Sequence, residues 1–159
     1  MTRKKPGITL GIISDTHGLL RPQAAEALQG VDMIIHAGDI GGAPVIKELE
    51  LIAPVVAVRG NMDNDHWAYF LKREEVLDAG GHTVCVVHDL GTLSLDPERD
   101  GIRAVMHGHS HRPRIQDHEG ILYINPGSAG PRRFTLPVSV ALLQISGGDL
   151  RARIIELKP

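Results

Sequence analysis

Residues 8–17 read Ile-Thr-Leu-Gly-Ile-Ile-Ser-Asp-Thr-His, an isoleucine-rich apolar run that ends in polar side chains. The run from Ile8 to Ser14 is too short for a helix and predicts a buried β-strand. Asp15 and His17 follow it two residues apart, so in extended chain both side chains can face the same way. The stretch therefore predicts a strand that places a carboxylate and an imidazole at its carboxyl end.

Helix-like and strand-like segments alternate beyond this first strand. Residues 22–28 and 43–52 carry helix formers, and Pro22 is suited to the first turn of its helix. Residues 31–36 and 55–58 are short apolar runs that predict buried strands. This order predicts a parallel sheet built from right-handed crossovers.

The second half of the chain is predicted to consist mainly of strands. The strand-like segments are 75–79, 83–87, 103–106, 121–125, 138–145 and 150–157. Turn pairs such as Gly80-Gly81 and Gly147-Gly148 favour hairpins, so we expect largely antiparallel pairing there. No repeat or linker interrupts the sequence. Residues 1–159 are therefore predicted to form a single α/β domain of two packed sheets with helices outside.

The composition argues against several functions. The 159 residues carry a formal net charge of −2 and only 3% aromatic side chains, so a stable nucleic-acid complex is not expected. The single cysteine, Cys85, lies in an apolar run and suits a reducing compartment. The sequence shows neither a signal-peptide pattern nor a membrane-spanning run, so we expect a cytoplasmic protein without a membrane partner.

Side chains that can bind metal ions follow five of the predicted strands. They are Asp15, His17, Asp39, Asn61, His88, His109 and His111. Ligands of parallel sheets bind beyond the carboxyl ends of the strands. Imidazole, carboxylate and amide ligands without a thiolate favour manganese, iron, zinc, cobalt or nickel. Each motif alone is weakly specific, but together they predict a site for two divalent ions about 3.5–4 Å apart.

These motifs resemble those of the calcineurin-like metallophosphoesterases, in particular the small bacterial and archaeal (YfcE-like) phosphodiesterase branch. The resemblance runs from Ser14-Asp15-Thr16-His17-Gly18 through Asn125-Pro126-Gly127-Ser128 to the end of the chain. It implies a four-layer α/β/β/α sandwich of two mixed β-sheets flanked by helices. It also implies a ligand set for each ion: Asp15, His17 and His111 for one, Asn61, His88 and His109 for the other, and Asp39 bridging both.

The activity that the resemblance implies is hydrolysis of small or nucleotide-like phosphate diesters by a hydroxide that bridges two divalent ions, most often manganese. Asp39 and Asn61 would be the catalytic side chains, with Asn61 touching both a metal and a phosphate oxygen. Relatives of this branch commonly self-associate, which makes a homodimer possible.

The sequence also predicts residues around the ligands. The substrate candidates are Asn125, Gly127 and Arg132, whose loop could equally be a purely structural turn. His36 is expected to support the site from behind the ligands. Asp63 is expected to tie down the Gly-Asn turn.

Two positions depart from the family pattern. Met62 stands where many of these phosphatases have a histidine that protonates the leaving group, which methionine cannot do. Activated aryl esters are therefore expected to react better than alkyl esters. Asp89 follows His88 where relatives usually have glycine, and it could support or disturb that histidine. The polar segment 92–100 is expected to hold at most one turn of helix, which would leave this side of the site open.

Other functions are compatible with parts of the sequence. A phosphomonoesterase or pyrophosphatase would use the same chemistry. A non-catalytic scaffold is a second alternative, because the small phosphoesterase-like subunit of the retromer uses this fold for interaction. The intact set of seven metal-competent side chains argues against a scaffold. A nuclease is disfavoured by the acidic charge balance and the scarcity of aromatic residues.

Overall fold

Ten strands form two five-stranded sheets in the computed structural model, which describes residues 7–158. The first sheet contains β1 (Ile8–Ile13), β2 (Met33–His36), β3 (Val55–Ala57), β9 (Ser139–Ser146) and β10 (Asp149–Glu156), in the order β10-β9-β1-β2-β3. The second contains β4 (Glu74–Ala79), β5 (His82–Val87), β6 (Ile102–Met106), β7 (Arg114–His118) and β8 (Ile121–Asn125), in the order β4-β5-β6-β8-β7.

The first sheet follows the predicted alternation of strands and helices. Strands β1, β2 and β3 pair in parallel, and the connections between them contain α1 (Pro22–Ala27) and α2 (Ala43–Glu50). Each helix has a proline in its first turn, where the missing N–H is not needed. Strand β9 pairs antiparallel with the other side of β1, so the end of the chain completes the first sheet.

The second sheet differs from the antiparallel pairing expected for this half of the chain. Strands β5, β6 and β8 are parallel, and only the hairpin partners β4 and β7 run antiparallel to their neighbours. Parallel neighbours need a long crossover, which is usually a helix. Here irregular segments make both crossovers, and the second one includes the unpredicted edge strand β7. All five β7 residues are exposed, so no apolar pattern marked that strand.

Three apolar clusters among the described residues fix the position of the sheets. Between the sheets, Leu10 and Ile12 of β1 pack in one cluster with Val84 and Val86 of β5. Both α-helices pack on the outer face of the first sheet. The outer face of the second sheet is covered by Leu93 and Leu95 of the 90–101 loop, which contains one 3₁₀ turn (Leu90–Thr92). The predicted α/β sandwich of two mixed sheets is confirmed, with this loop in place of an α-helix on the second sheet.

Among residues 7–158, neither α-helix is long enough to cross a bilayer.

Candidate metal centre

The carboxyl ends of five strands meet at one edge of the sandwich. In the first sheet, β1 leads into Asp15, β2 into Asp39 and β3 into Asn61. In the second sheet, β5 leads into His88, and β6 leads into the segment of His109 and His111. Each set of strands is parallel, so all five ends point in the same direction within their sheet. The sequence-predicted ligands are therefore brought to one crevice by the topology of the two sheets.

Hydrogen bonds join the strand ends to each other. The Asp15 N–H donates to the Gly38 carbonyl (3.0 Å) within the first sheet, and the Gly108 N–H donates to the His88 carbonyl (2.9 Å) within the second. The His109 N–H donates to Asp15 Oδ2 (3.2 Å) and links the two sheets. The same carboxylate oxygen accepts the Ser14 hydroxyl at 2.6 Å. One oxygen of Asp15 is thus fully engaged in holding the crevice together.

The other oxygen of Asp15 lies at the centre of a cluster of imidazoles. Asp15 Oδ1 is 3.2 Å from His111 Nε2 and 3.9 Å from the Nε2 atoms of His17 and His88. Asp39 Oδ2 lies 3.3 Å from His88 Nε2 and 3.9 Å from His17 Nε2. Asp15 is fully buried, and Asp39, His88 and His111 are each 4% exposed. Two carboxylates and three imidazoles therefore converge in a space that is almost closed to water.

The hydrogen bond that His88 makes with the backbone fixes which ring nitrogen faces the carboxylates. His88 Nδ1 lies 2.8 Å from the Ala37 carbonyl, which can only accept, so Nδ1 must carry the proton. In the neutral ring, Nε2 then presents a lone pair to the carboxylate of Asp39. Among residues 7–158, the buried atoms Asp15 Oδ1, His17 Nε2 and His88 Nε2 have no hydrogen-bond partner. Buried polar atoms without a partner are costly, and a cation bound among these carboxylate and imidazole atoms would remove that cost.

The distances in the cluster fit metal ligation. Two groups have all their ligand atoms within 4.8 Å of one another: Asp15 with His17 and His111, and Asp15 with Asp39 and His88. Ligand bonds of about 2.1 Å at tetrahedral or octahedral angles separate donor atoms by about 3.0–3.5 Å. The observed separations of 3.2–3.9 Å are close to that spacing. The resemblance placed Asp15 at one ion and gave the bridging position to Asp39, whereas in the structure Asp15 belongs to both groups.

The remaining predicted ligands, Asn61 and His109, border the cluster on its open side. Both line a cavity of about 350 Å³ together with His88. The His109 ring meets the His88 ring edge to face, with centroids 5.2 Å apart. The His109 side chain is 49% exposed, in contrast to the buried imidazoles. Asn61 is exposed as well. The centre therefore has a closed half and an open half.

The carboxylates of the closed half are held in their charged form. Burial raises the pKa of Asp15 and of Asp39, but the neighbouring imidazoles outweigh it, so the net pKa of each lies below its ordinary value. The Ser14 hydroxyl adds to this effect at Asp15, as does the Met62 N–H, 2.9 Å from Oδ1, at Asp39. Burial lowers the pKa of His88, but the two carboxylates raise it above the ordinary value overall. Each shift favours negative carboxylates with a positive charge close by.

The backbone is strained at the predicted ligands. Within residues 7–158, seven non-glycine residues have a positive φ. Five of them are predicted ligands: Asp15 (56°), His17 (47°), Asp39 (55°), His109 (71°) and His111 (62°). Each such conformation costs on the order of 1–3 kcal/mol and persists only where the surroundings impose it. The concentration of strain at these side chains indicates a functional site, because packing alone does not require it.

Two glycines let the strand ends approach each other closely. A Cβ atom at Gly60 would collide with Asp39 Oδ1, and one at Gly108 would collide with the Ser14 hydroxyl. In the structure the two glycines admit the carboxylate and hydroxyl side chains that build the centre.

His36 and Asp63 lie behind the ligands. His36 Nδ1 accepts from the Gly38 N–H (3.1 Å), so Nε2 carries the proton and donates to Thr16 Oγ1 (3.0 Å). Burial lowers the pKa of His36 to about 3, which keeps the ring neutral. The Asp63 carboxylate accepts from the N–H groups of Ile40, Gly41 and Gly60, 2.9–3.2 Å away. Both residues thus tie the Asp39 and Asn61 turns in place.

The loop expected to contact substrate supports the ligands instead, at two of its three predicted positions. The Asn125 amide donates to the Gly108 carbonyl (3.1 Å) and Ser110 Oγ (3.0 Å), and its oxygen accepts from the Gly127 N–H (2.9 Å). Asn125 is 1% exposed, so no part of its amide is free for a substrate. Gly127 is buried with φ 80°, and a side chain there would collide with Ser139. Arg132 is exposed on the following loop.

Sequence reasoning missed several residues of the site. Arg59 and Arg73 line the open half beside Asn61 and His109. Asp89 Oδ1 accepts from the Gly91 N–H (2.9 Å) and begins the 3₁₀ turn, and its Oδ2 lies 4.0 Å from His109 Nε2. Asp89 therefore faces the exposed imidazole rather than His88. The position of Arg59 beside Gly60-Asn61 was a signal in the sequence, whereas nothing in the sequence marked Arg73.

The fold and the buried cluster together define an α/β sandwich with a candidate metal centre between its two sheets. The profile of the calcineurin-like phosphoesterase superfamily domain matches residues 8–148, and the chain belongs to this family. A probable metallophosphoesterase of Methanothermobacter thermautotrophicus is 35% identical over 159 residues, which cover 92% of this chain and 91% of the relative. A phosphodiesterase of Methanocaldococcus jannaschii is 26% identical over 166 residues, which cover 92% of this chain and 99% of the relative. The resemblance seen in the motifs is thereby confirmed at the level of the family.

Solved structures of the same fold include an archaeal phosphodiesterase and a vacuolar protein sorting protein. The structure of a novel archaeal phosphodiesterase has a TM-score of 0.77 and 23% identity, covering 93% of this chain and 100% of that one. The structure of vacuolar protein sorting 29 from Cryptosporidium parvum has a TM-score of 0.76 and 18% identity, covering 96% of this chain and 99% of that one. At these identities the likeness establishes the fold alone.

Proposed function

We propose that the chain is a phosphodiesterase that binds two divalent metal ions, manganese foremost, and hydrolyses small or nucleotide-like phosphate diesters. The observation that carries the proposal is the buried cluster of Asp15, Asp39, His17, His88 and His111. Its carboxylate oxygens lie 3.2–3.9 Å from neighbouring imidazole nitrogens, and within residues 7–158 three of these atoms have no hydrogen-bond partner. Carboxylate and imidazole donors without sulfur suit manganese and related divalent ions.

The ions, when bound, would lower the pKa of a water molecule and neutralise charge on the phosphate. The chain itself holds the ligands in place. The Ala37 carbonyl fixes the His88 ring with its Nε2 facing the cluster, and the Ser14 hydroxyl and His109 N–H fix Asp15. Pre-organised ligands of this kind need no rearrangement when charge develops on the phosphate.

The open half would receive the substrate. Asn61 is exposed at the rim of the closed half, so its amide can donate to a phosphate oxygen while its backbone remains held through Gly60 and Asp63. The cavity of about 350 Å³ beside it has room for a group attached to the phosphate. Diester rather than monoester specificity draws further support from the 26% identical relative, which is named a phosphodiesterase.

The test is hydrolysis of bis(p-nitrophenyl) phosphate by chelator-stripped protein titrated with manganese. We expect metal-dependent turnover that Asp39→Asn reduces by at least about 100-fold, which exceeds the usual effect of residues that merely support a ligand. Asp149→Asn is the matched control, because that carboxylate is 77% exposed on β10. It should leave turnover unchanged.

The comparison of substrates separates the alternatives. Faster turnover of p-nitrophenyl phosphate than of the diester would identify a monoesterase with the same centre. Absence of turnover with manganese, iron, zinc, cobalt or nickel, in folded protein, would reject the enzymatic function and favour the scaffold.

A further inference from the structure

The cavity of the open half contains two arginines that the chemistry of hydrolysis does not use. It is lined by Arg59 and Arg73 on one side, with Asn61, His88 and His109 toward the metal centre. Asp89 and Thr92 complete the wall. An anion bound between the arginines would therefore lie in the same cavity as a phosphate at the centre.

The arginines are brought together by the edges of the two sheets. Arg59 follows β3, the edge strand of the first sheet, and Arg73 precedes β4, the edge strand of the second. The Arg59 N–H donates to the Lys72 carbonyl at 2.8 Å, which fixes the two segments side by side. Backbone pairing thus places the two arginines next to each other at the rim of the cavity.

Within residues 7–158, neither guanidinium lies within 4.0 Å of a carboxylate oxygen. The carboxylates near them are engaged elsewhere. Glu74 accepts from the N–H and hydroxyl of Ser94, and Glu75 pairs with Lys72 at 3.5 Å. Arg59 is half-buried, and its Nε has no hydrogen-bond partner although it is shielded from solvent. The two guanidiniums are thus cations without a carboxylate partner at one cavity, and an anion bound there would supply the missing negative charge.

We propose that Arg59 and Arg73 bind a second phosphate group of the substrate, a proposal that rests on the phosphodiesterase function proposed above. The guanidinium presents planar, paired donors that match phosphate oxygens and cannot lose its charge. The substrate class is then a diester with an additional phosphate, such as an ester of a nucleoside bisphosphate. Asp89 sets a limit to the site, because its carboxylate repels an anion placed on its side of the cavity.

The test compares binding of two nucleotides to the manganese-loaded protein by calorimetry. Deoxythymidine 3′,5′-bisphosphate and deoxythymidine 5′-monophosphate differ only in the second phosphate. We expect the wild-type protein to prefer the bisphosphate by about tenfold or more, the size of a charge-assisted contact. Arg59→Gln combined with Arg73→Gln should abolish that preference. Arg73→Gln alone, at an exposed position, should reduce it and keep the fold intact.

The control is Arg151→Gln, which removes an equal charge from a side chain that is 80% exposed on β10, at the opposite edge of the first sheet from β3. It should retain the preference. Equal affinity of the wild-type protein for both nucleotides, or a preference that survives in the double variant, would overturn the proposal.

A kinetic arm separates this proposal from the one on which it rests. The p-nitrophenyl ester of deoxythymidine 5′-phosphate is compared with the same ester that carries a 3′-phosphate. A ratio of kcat/KM values that favours the 3′-phosphate and falls about tenfold in the double variant supports the arginine site. If neither ester is hydrolysed while the bisphosphate still binds through the arginines, the phosphodiesterase function fails and the anion site remains.

Discussion

The closed and open halves of the metal centre are built in different ways. The closed half consists of Asp15, Asp39, His17, His88 and His111, whose positions are set by strand ends and hydrogen bonds to the backbone. The open half consists of exposed or partly exposed side chains on connecting segments, namely Arg59, Asn61, Arg73, Asp89 and His109. The proposed ion site therefore lies where strand ends and backbone hydrogen bonds fix the side chains, whereas the proposed substrate site lies on connecting loops.

The largest expected effect tests whether the halves differ in their importance for catalysis. His88→Gln removes a buried imidazole whose Nε2, a proposed metal ligand, lies 3.3 Å from Asp39 Oδ2. We expect kcat/KM for bis(p-nitrophenyl) phosphate to fall by at least about 100-fold. His109→Gln changes a half-exposed imidazole, and we expect a loss of about tenfold. Steady-state kinetics with saturating manganese measures both. Equal losses would remove the distinction between the halves, and His118→Gln on exposed β7 is the neutral control.

The second effect tests whether Asn125 supports the segment of His109 or contacts the substrate. Asn125→Ala removes the side-chain donor to the Gly108 carbonyl and to Ser110 Oγ, so the His109 segment should loosen. We expect kcat/KM to fall by about 10–100-fold, together with a loss of about 1–3 kcal/mol in the free energy of unfolding. A substrate contact would instead raise KM and leave the free energy of unfolding unchanged. Urea denaturation and kinetics on the same preparation distinguish the two.

The third effect concerns the buried imidazole behind the closed half. His36 has a folded pKa of about 3, below its ordinary value of 6.5, so only the unfolded chain takes up a proton between these values. Its contribution to stability is therefore present above pH 6.5 and is lost as the pH falls, by about 1.4 kcal/mol per pH unit. Urea denaturation of the metal-free protein between pH 6.5 and 4.5 measures this slope. His36→Gln should flatten it, and an unchanged slope would contradict a neutral buried ring.

The smallest effect concerns the leaving group at the open half. Met62 is 62% exposed beside the Asn61 turn, and Met62→His would place a proton donor there. We expect the turnover of an alkyl diester relative to an aryl diester to rise by about five- to tenfold, less than a pre-organised acid provides because nothing holds the new ring. Met62→Gln is the control without an acid. An unchanged ratio would mean that the leaving group lies elsewhere.

The contrast between strand ends and connecting loops also explains how much of the fold and of the site could be predicted from the sequence. The apolar runs that end in Asp15, Asp39 and His88 are local patterns, and the strands placed there are present in the structure. The parallel pairing of β5, β6 and β8 could not be predicted, because the crossovers between them contain no α-helix and one of them carries the exposed strand β7. The parallel pairing that helical crossovers announce in the first sheet was therefore predicted, whereas the parallel pairing without helical crossovers in the second sheet was not.

The roles of two residues illustrate this limit at the centre. The sequence around Asn125 suggests a loop that contacts substrate. In the structure, however, the Asn125 amide donates to the Gly108 carbonyl and to Ser110 Oγ in the segment after β6. Arg73 reaches the open half only because the chain at Arg59 pairs with Lys72, a contact without a sequence signal. The ligand types were readable from the sequence, whereas the side chains that surround them depend on how the two sheets meet.

The most direct test of the closed half as an ion site is the anomalous scattering of manganese in crystals of the metal-loaded protein. We predict one peak among Asp15, His17 and His111 and a second among Asp15, Asp39 and His88. Absence of anomalous density at these side chains, at manganese concentrations that support turnover, would contradict the account.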